Sequence, residues 1–341
     1  MSRSYRAGRQ KIVTQSTIGI LANPASGKDV RRLVARASIF DNREKSAIIG
    51  RAVVGAVSAG ATSFAYVDDS HNIAHSIMQE LPADCAVTKV NSPKTASSLD
   101  TEWGASELAQ LNCVATLILG GDGTSRAFVK GWRSALLLPL STGTNNVFPR
   151  FKEATIAGAA LGVLASGGVQ ADEVTVAVKI IDIEIENEEP DIALIDAVVT
   201  NDRFIGSRAL LDADAIQQVL LTRAEPSDVG MTSLGGLIKP VSEETDKGLH
   251  LVMGKKGMRI SAPIAPGMFR AIDVESSRIV SFYEQINLKG PCVLAFDGER
   301  ERVIKPGQKV SMRLSRSGPA ILNIEKTMQL AACRQLFTTS R

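Results

Sequence analysis

The sequence predicts an α/β N-terminal domain built on a parallel sheet, joined to a mostly β C-terminal domain. Three observations carry that expectation. Short apolar runs alternate with stretches of helical spacing up to about residue 150, the rhythm of strand-helix-strand units. After about residue 170 the segments alternate or are β-branched, with Gly, Pro or Asp between them, which reads as strands. The chain has 341 residues, and at roughly 150 residues per domain it divides into about two.

In chain order, Ile18 to Ala22 is a buried strand entering an Asn-Pro turn. Lys28 to Arg36 and Glu44 to Val57 have helical spacing, and Phe64 to Val67 is strand-like. Asn72 to Glu80 reads as a helix stopped by Leu81-Pro82, Cys85 to Val90 as a strand and Ser98 to Leu111 as a helix. Val114 to Leu119 is a continuous apolar run ending in Gly120-Gly121, followed by a helix over Ser125 to Trp132 and a strand over Leu136 to Leu140. Thr155 to Leu164 is Ala- and Gly-rich and helical. The strand-like segments of the second half are Glu173 to Ile181, Ile183 to Ile185, Ile192 to Val199, Leu249 to Met253, Met258 to Ala262, Ile279 to Phe282, Cys292 to Phe296 and Lys309 to Leu314. No repeat of solenoid period is visible.

Composition narrows the function classes. With 39 basic and 36 acidic side chains the net charge is +3, too small to point to nucleic acid. Aromatic residues are 4% of the chain, so stacking platforms for single strands are not expected. Apolar residues are 44% and charged ones 22%, as in ordinary soluble proteins. No apolar run approaches the ~18 residues of a membrane span. The basic cluster from Arg3 to Lys11 reads as a solvated tail rather than a signal peptide. Cys85, Cys113, Cys292 and Cys333 lie far apart without a CxxC pair, as expected of reduced thiols in a cytoplasmic protein.

Leu119-Gly120-Gly121-Asp122-Gly123-Thr124-Ser125 runs an apolar strand through three glycines and a carboxylate into a helix. Glycines allow close approach of backbone to an anion, and a helix N-terminus offers free N–H groups. A plain helix cap by Asp122 or Thr124 is the alternative, but a cap does not call for three glycines. Neither familiar nucleotide fingerprint is present. Arg126 stands where the dinucleotide motif needs glycine, Ala22 where the P-loop has its first glycine, and Asp29 where it has Ser or Thr.

Two further loops leave the carboxyl edge of the same predicted sheet, where α/β proteins bind ligands. Asn23-Pro24-Ala25-Ser26-Gly27-Lys28 suits a turn over phosphate oxygens. Ser141-Thr142-Gly143-Thr144-Asn145-Asn146 is dense in groups that could hold a nucleotide or sugar hydroxyl, or is a polar connector. His71 and His75 lie four apart, but Asn72 replaces the zincin Glu and no third ligand is evident, so metal binding is not expected.

Together, Asn23-Pro24-Ala25-Ser26-Gly27, Gly120-Gly121-Asp122-Gly123-Thr124 and Thr142-Gly143-Thr144-Asn145-Asn146 resemble the loops of the NAD kinase and diacylglycerol kinase superfamily. Within it the chain is most similar to the ATP-NAD kinase group that includes acetoin catabolism protein X. Ala262-Pro263-Ile264-Ala265-Pro266-Gly267 resembles a segment that usually reads Pro-Ile-x-Pro-His, and Ala295-Phe296-Asp297-Gly298-Glu299 through Val310-Ser311-Met312 resembles the closing Asp-Gly strand pair. The resemblance covers about residues 17 to 326. It departs at Ala193-Leu194-Ile195-Asp196-Ala197-Val198, where Ile195 and Asp196 replace the usual Asn-Glu, and at Gly267, where His is usual.

The chain divides into a basic tail at 1–16, an α/β nucleotide-phosphate-binding domain at 17–150, a mostly β substrate domain at 151–325 and a closing segment at 326–341, and the resemblance implies the same two-domain, NAD kinase-like fold. It implies an ATP-dependent kinase with Mg²⁺, polyphosphate being a possible donor. Asn23, Pro24, Ser26, Gly27, Lys28, Gly120, Gly121, Gly123 and Thr124 would bind donor phosphates. Asp122 would take the acceptor's proton, while in the lipid-kinase branch the corresponding Asp serves metal and nucleotide. Thr142, Gly143, Thr144, Asn145, Asn146 and Asp196 would contact the acceptor. Asp297 and Glu299 are candidates for a second carboxylate, or simply part of a β-turn; the metal ligands are not assigned. The expected acceptor is NAD at its adenosine ribose 2′-OH, giving NADP. A same-fold kinase for another small-molecule or lipid hydroxyl, and a non-catalytic nucleotide-binding regulator, are the alternatives. A homo-oligomer is expected of the family, with neither nucleic acid nor membrane as partner.

Overall fold

Apolar runs too short to be helices become strands, and the helical stretches between them pack on both faces of the sheet they form. The structure is a computed structural model and describes residues 16–26, 41–143, 146–201 and 215–338. Its first half contains β1 (Ile18–Ala22), α1 (Asn42–Ser58), β2 (Ser63–Asp68), α2 (His75–Gln79), β3 (Ala86–Asn91), α3 (Ser98–Gln110), β4 (Ala115–Gly120), α4 (Asp122–Gly131), β5 (Leu136–Ser141) and α5 (Ala154–Ala165). Next come α6 (Ala171–Val174), β6 (Thr175–Ala177), β7 (Ile180–Ile185), β8 (Asp191–Ala193), β9 (Asp196–Thr200) and β10 (Ile216–Leu221). The chain continues through α7 (Met231–Ile238), β11 (Lys247–Ala265), β12 (Met268–Ser281), β13 (Ile286–Lys289), β14 (Cys292–Phe296) and β15 (Glu299–Ile304). It closes with β16 (Lys309–Ser315), β17 (Ala320–Leu322) and α8 (Ile324–Cys333).

The first sheet has the order β3-β2-β1-β4-β5-β17-β6. β1 to β5 are parallel, β17 joins parallel to β5, and β6 closes the edge antiparallel to β17. Alternate side chains go to opposite faces, as the period of two requires. Ile18, Ile20, Leu117 and Leu119 enter a core shared with α1, α5 and α8. Leu21, Ile118 and Leu137 enter another with α3, α4 and Ile180, Ile192 and Leu194 of the second half. β1 and β4 are buried along their whole length.

The remaining strands form a six-stranded sheet, β12-β11-β10-β9-β14-β15, and a four-stranded sheet, β13-β16-β7-β8. Every pairing in both is antiparallel. A core of Ile181, Ile183, Val199, Leu220, Leu294 and Met312 lies between the two. The α/β first half and the mostly strand second half match the predicted fold class.

Several boundaries differ from the expectation. The helix after β4 starts at Asp122 rather than Ser125, because Gly121 is the N-cap and the carboxylate sits in the first turn. Glu173 to Ile181 is not one strand. A capping box between Gln170 and Glu173 winds a turn of α6, and the chain then divides into β6 and β7. Ile192 to Val199 likewise divides into β8 and β9. Leu249–Met253 and Met258–Ala262 fuse into the 19-residue β11, whose register with β12 shifts between Met253 and Met258. The helix read at Lys28 to Arg36 lies outside the described residues. Among those described, no helix is long and apolar enough to cross a membrane.

Candidate functional site

β1 and β4 are neighbours, with β2 and β3 on one side and β5 on the other. The strand order therefore reverses between β1 and β4, and a crevice opens at their carboxyl ends. The three polar loops leave there, and their side chains join. Asn23 Nδ2 donates to Thr124 Oγ1 at 2.8 Å. The Ser26 and Thr142 hydroxyls lie 3.0 Å apart. Asn23 N donates to Leu119 O at 2.9 Å, tying the first loop to the end of β4.

The first loop is held from beneath by Lys45. This lysine is fully buried, and its ammonium donates to the carbonyls of Asn23 (2.8 Å), Pro24 (3.2 Å) and Ser26 (2.7 Å). Sequence reading missed it. The hint was a lysine in the first turns of α1, where a cation opposes the helix dipole and needs another partner.

The glycines around Asp122 have a spatial role that sequence reading did not foresee. A Cβ on Gly120 would lie 2.4 Å from Thr124 Cβ, one on Gly121 2.8 Å from Asn146 Oδ1, and one on Gly123 2.3 Å from Glu299 Oε1. Gly121 and Gly123 thus admit polar groups of two other segments to the N-terminus of α4, while Gly120 makes room for Thr124 of α4 itself. There the free N–H groups and the dipole favour negative charge.

Asp122 faces the loop after β5. Its Oδ1 accepts from Val147 N at 3.0 Å and Phe148 N at 2.8 Å, and Oδ2 from Val147 N at 3.1 Å. Within that loop Asn146 Nδ2 donates to Ser141 Oγ at 2.9 Å and to Gly143 O at 3.3 Å. The loop is also anchored to the second half. Arg223, just past β10, donates from Nη2 to Val147 O and from Nη1 to Glu243 Oε2.

Asp297 and Glu299 separate in function. Asp297 is buried, and it accepts N–H groups from Leu194 (2.9 Å), Ile195 (2.7 Å) and Asp196 (3.2 Å). Burial pushes its pKa up to about 6, against the pull of Arg126 and the amides, and the nearby Asp122 charge adds to the rise. Asp297 and Gly298 both have positive φ, 50° and 82°, so the pair forms the two-residue hairpin turn between β14 and β15. Glu299 instead reaches back to Gly123.

A cleft of about 400 Å³ opens beside these loops, with Asn23, Pro24, Asp68, Gly123, Thr124 and Glu299 in its wall. Asp122 is not in that wall; it stands on the far side of the α4 terminus, toward the 142–148 loop. Ile195 is buried in the apolar cluster under α4. Gly27, Lys28, Thr144 and Asn145 lie outside the described residues. His75 Nδ1 pairs with the Tyr66 hydroxyl at 2.6 Å and His71 Nδ1 with Ser70 at 3.0 Å. Among the described residues no three His, Cys, Asp or Glu side chains gather as a metal cage.

Arg126, the residue that breaks the dinucleotide fingerprint, is buried. Its Nη2 meets Asp191 Oδ1 at 2.6 Å, its Nε donates to Ile192 O at 2.6 Å, and its guanidinium lies 5.0 Å from the Phe296 ring centre. It fastens α4 to the second half.

Comparison with known proteins adds four findings. Acetoin catabolism protein X of Cupriavidus necator is 32% identical, across 87% of this chain and 87% of that protein. A family model described as the acetoin catabolism protein X C-terminal domain matches residues 179–317. Among solved structures, yeast NADH kinase complexed with NADH is similar at 14% identity and a TM-score of 0.51, over 96% of this chain and 89% of that one. That likeness shows the fold. An NAD kinase from Archaeoglobus fulgidus in complex with ATP matches at 11% identity and a TM-score of 0.43, over 95% of this chain and 100% of that one.

Proposed function

The chain belongs to the acetoin catabolism protein X family, and from that premise we propose that it is an ATP-dependent kinase phosphorylating a hydroxyl. The observation that carries the reading is the meeting of three polar loops at the sheet's switch point, with carboxylates on either side of one helix N-terminus. Phosphoryl transfer needs little covalent chemistry from a protein. It needs positioning and charge neutralisation, and these loops supply both.

In this reading the donor triphosphate lies in the cleft, against Asn23, Pro24, Ser26, Gly27 and the α4 terminus at Gly120, Gly121, Gly123 and Thr124, with Lys28 adding charge. Mg²⁺ at a triphosphate needs only one or two protein carboxylates, and the cleft-wall Glu299 is the group we assign to it. When bound, the ion neutralises donor charge. Asp122, on the acceptor side, takes the proton of the attacking hydroxyl. Thr142, Gly143, Thr144, Asn145, Asn146 and Asp196 orient the acceptor. We take NAD as that acceptor, phosphorylated at the adenosine 2′-OH; the shared fold with yeast NADH kinase supports this.

One observation favours a second acceptor class. The position where NAD kinases carry an amide is Ile195, and it is buried in an apolar cluster, so it offers a ligand no hydrogen bond. Another small hydroxyl compound would not need that amide.

The test is NADP formation from NAD, ATP and Mg²⁺, with polyphosphate as a second donor and Asp122→Asn as background. NADP above that background supports the NAD reading. ADP release only with other hydroxyl compounds supports the second acceptor class. If ATP is neither consumed nor bound, the kinase reading fails and a non-catalytic role replaces it.

A further inference from the structure

Asp68, the last residue of β2, has a carboxylate that the fold leaves half used. The side chain is 4% exposed, and both of its ion pairs go to one oxygen: Lys94 Nζ at 2.6 Å and Lys89 Nζ at 3.1 Å from Oδ2. The two lysines are themselves 43% exposed. Oδ1 is buried and accepts no hydrogen bond from the described residues. A surface ion pair does not require its acid to be buried, and an orphaned carboxylate oxygen inside a protein is costly. Burial alone would raise the Asp68 pKa, but Lys94 and Lys89 outweigh it and hold the carboxylate below its usual value. The group is therefore an ionised acceptor short of a donor.

Its place in the cleft says which donor. Asp68 lines the same 400 Å³ space as Asn23, Thr124 and Glu299. β2 is next to β1 on the side away from β4, so Asp68 stands one strand away from the phosphate loops. In a nucleotide, the unit one step from the phosphates is the ribose, and an acid at the end of the second strand of such a sheet is well suited to accept from a ribose hydroxyl. Resting on the kinase reading above, we propose that Asp68 Oδ1 accepts a hydroxyl of the donor ribose, so that the cleft selects ribonucleotides over deoxyribonucleotides. The lysines keep the acid ionised, so that it can only accept, as a ribose hydroxyl requires.

The test is calorimetric titration of the full chain with Mg²⁺ and ATP, 2′-deoxyATP or 3′-deoxyATP, repeated on Asp68→Ala. Hydrogen bonds to charged groups are worth roughly 10- to 100-fold in affinity. The wild-type protein should bind one of the deoxy analogues at least about tenfold more weakly than ATP. In Asp68→Ala, ATP should fall to the level of that analogue and the discrimination should vanish. Equal binding of all three nucleotides by the wild type overturns the proposal without using the variant, and so does discrimination that survives in Asp68→Ala. If ATP binds without discrimination, this inference alone falls. If ATP does not bind at all, the kinase reading falls and takes this inference with it.

Discussion

Gly123 is the residue at which sequence and structure are most closely matched. It has no side chain because the Glu299 carboxylate occupies that space. Gly123→Ala should leave the fold intact, since the flexible end of a glutamate can swing away. It should nonetheless move that carboxylate by about 1 Å and slow phosphoryl transfer on the order of 10²-fold, checked by single-turnover kinetics beside a thermal melt. Asp297 gives a pH prediction. Its pKa rises from 3.8 to about 6 on folding, so the native state keeps a proton that the unfolded chain has released. Its contribution is most favourable below pH ~4 and is lost as pH climbs to about 6, by roughly 3 kcal/mol. Denaturant unfolding across that window should show this slope in the wild type and not in Asp297→Asn. At this scale the loop residues Asn23, Ser26, Asp122, Thr124 and Thr142 were legible, because glycine, hydroxyl and amide types mark such loops in any sequence. Lys45 and Asp68 were not, because what distinguishes them is burial, which an exposed-looking lysine or aspartate does not announce.

Between elements, the closest packing joins α1 and α5. A Cβ on Gly158 would lie 1.8 Å from Ala52 O, one on Gly55 2.0 Å from Thr155 O and one on Gly162 2.3 Å from Ala56 O. Backbone cannot swing aside as a glutamate can. Gly158→Ala should therefore part the helices and cost about 1–3 kcal/mol, read as a lowered midpoint in urea with the same slope. The parallel strands and their helices were readable, because each is a local pattern of period two or 3.6. The return of β17 to lie beside β5 and the fusion of β11 across a register shift were not. Those depend on pairings between residues far apart in the chain, which no local window records.

At the scale of the whole molecule, a buried carboxylate ties the first half to the second. Asp191 is fully buried and accepts from Arg126 of α4 and, on Oδ2, from Arg302 of β15 at 3.1 Å. Burial alone would raise its pKa, but Arg126 and the Ile192 amide more than offset that and lower it. Asp191→Ala takes the carboxylate away from the buried Arg126 guanidinium and should cost about 3–5 kcal/mol, measured by chemical unfolding. Because Arg126 sits one turn from Asp122, the same variant should lose activity under conditions where it remains folded. A crystal structure of the protein with Mg²⁺ and ATP shows whether the cleft between the loops holds the donor. Triphosphate density is expected against the 23–26 loop and the α4 N-terminus, beside Glu299, with the ribose over β2. Triphosphate bound elsewhere, or an empty cleft at saturating ATP, would contradict that placement.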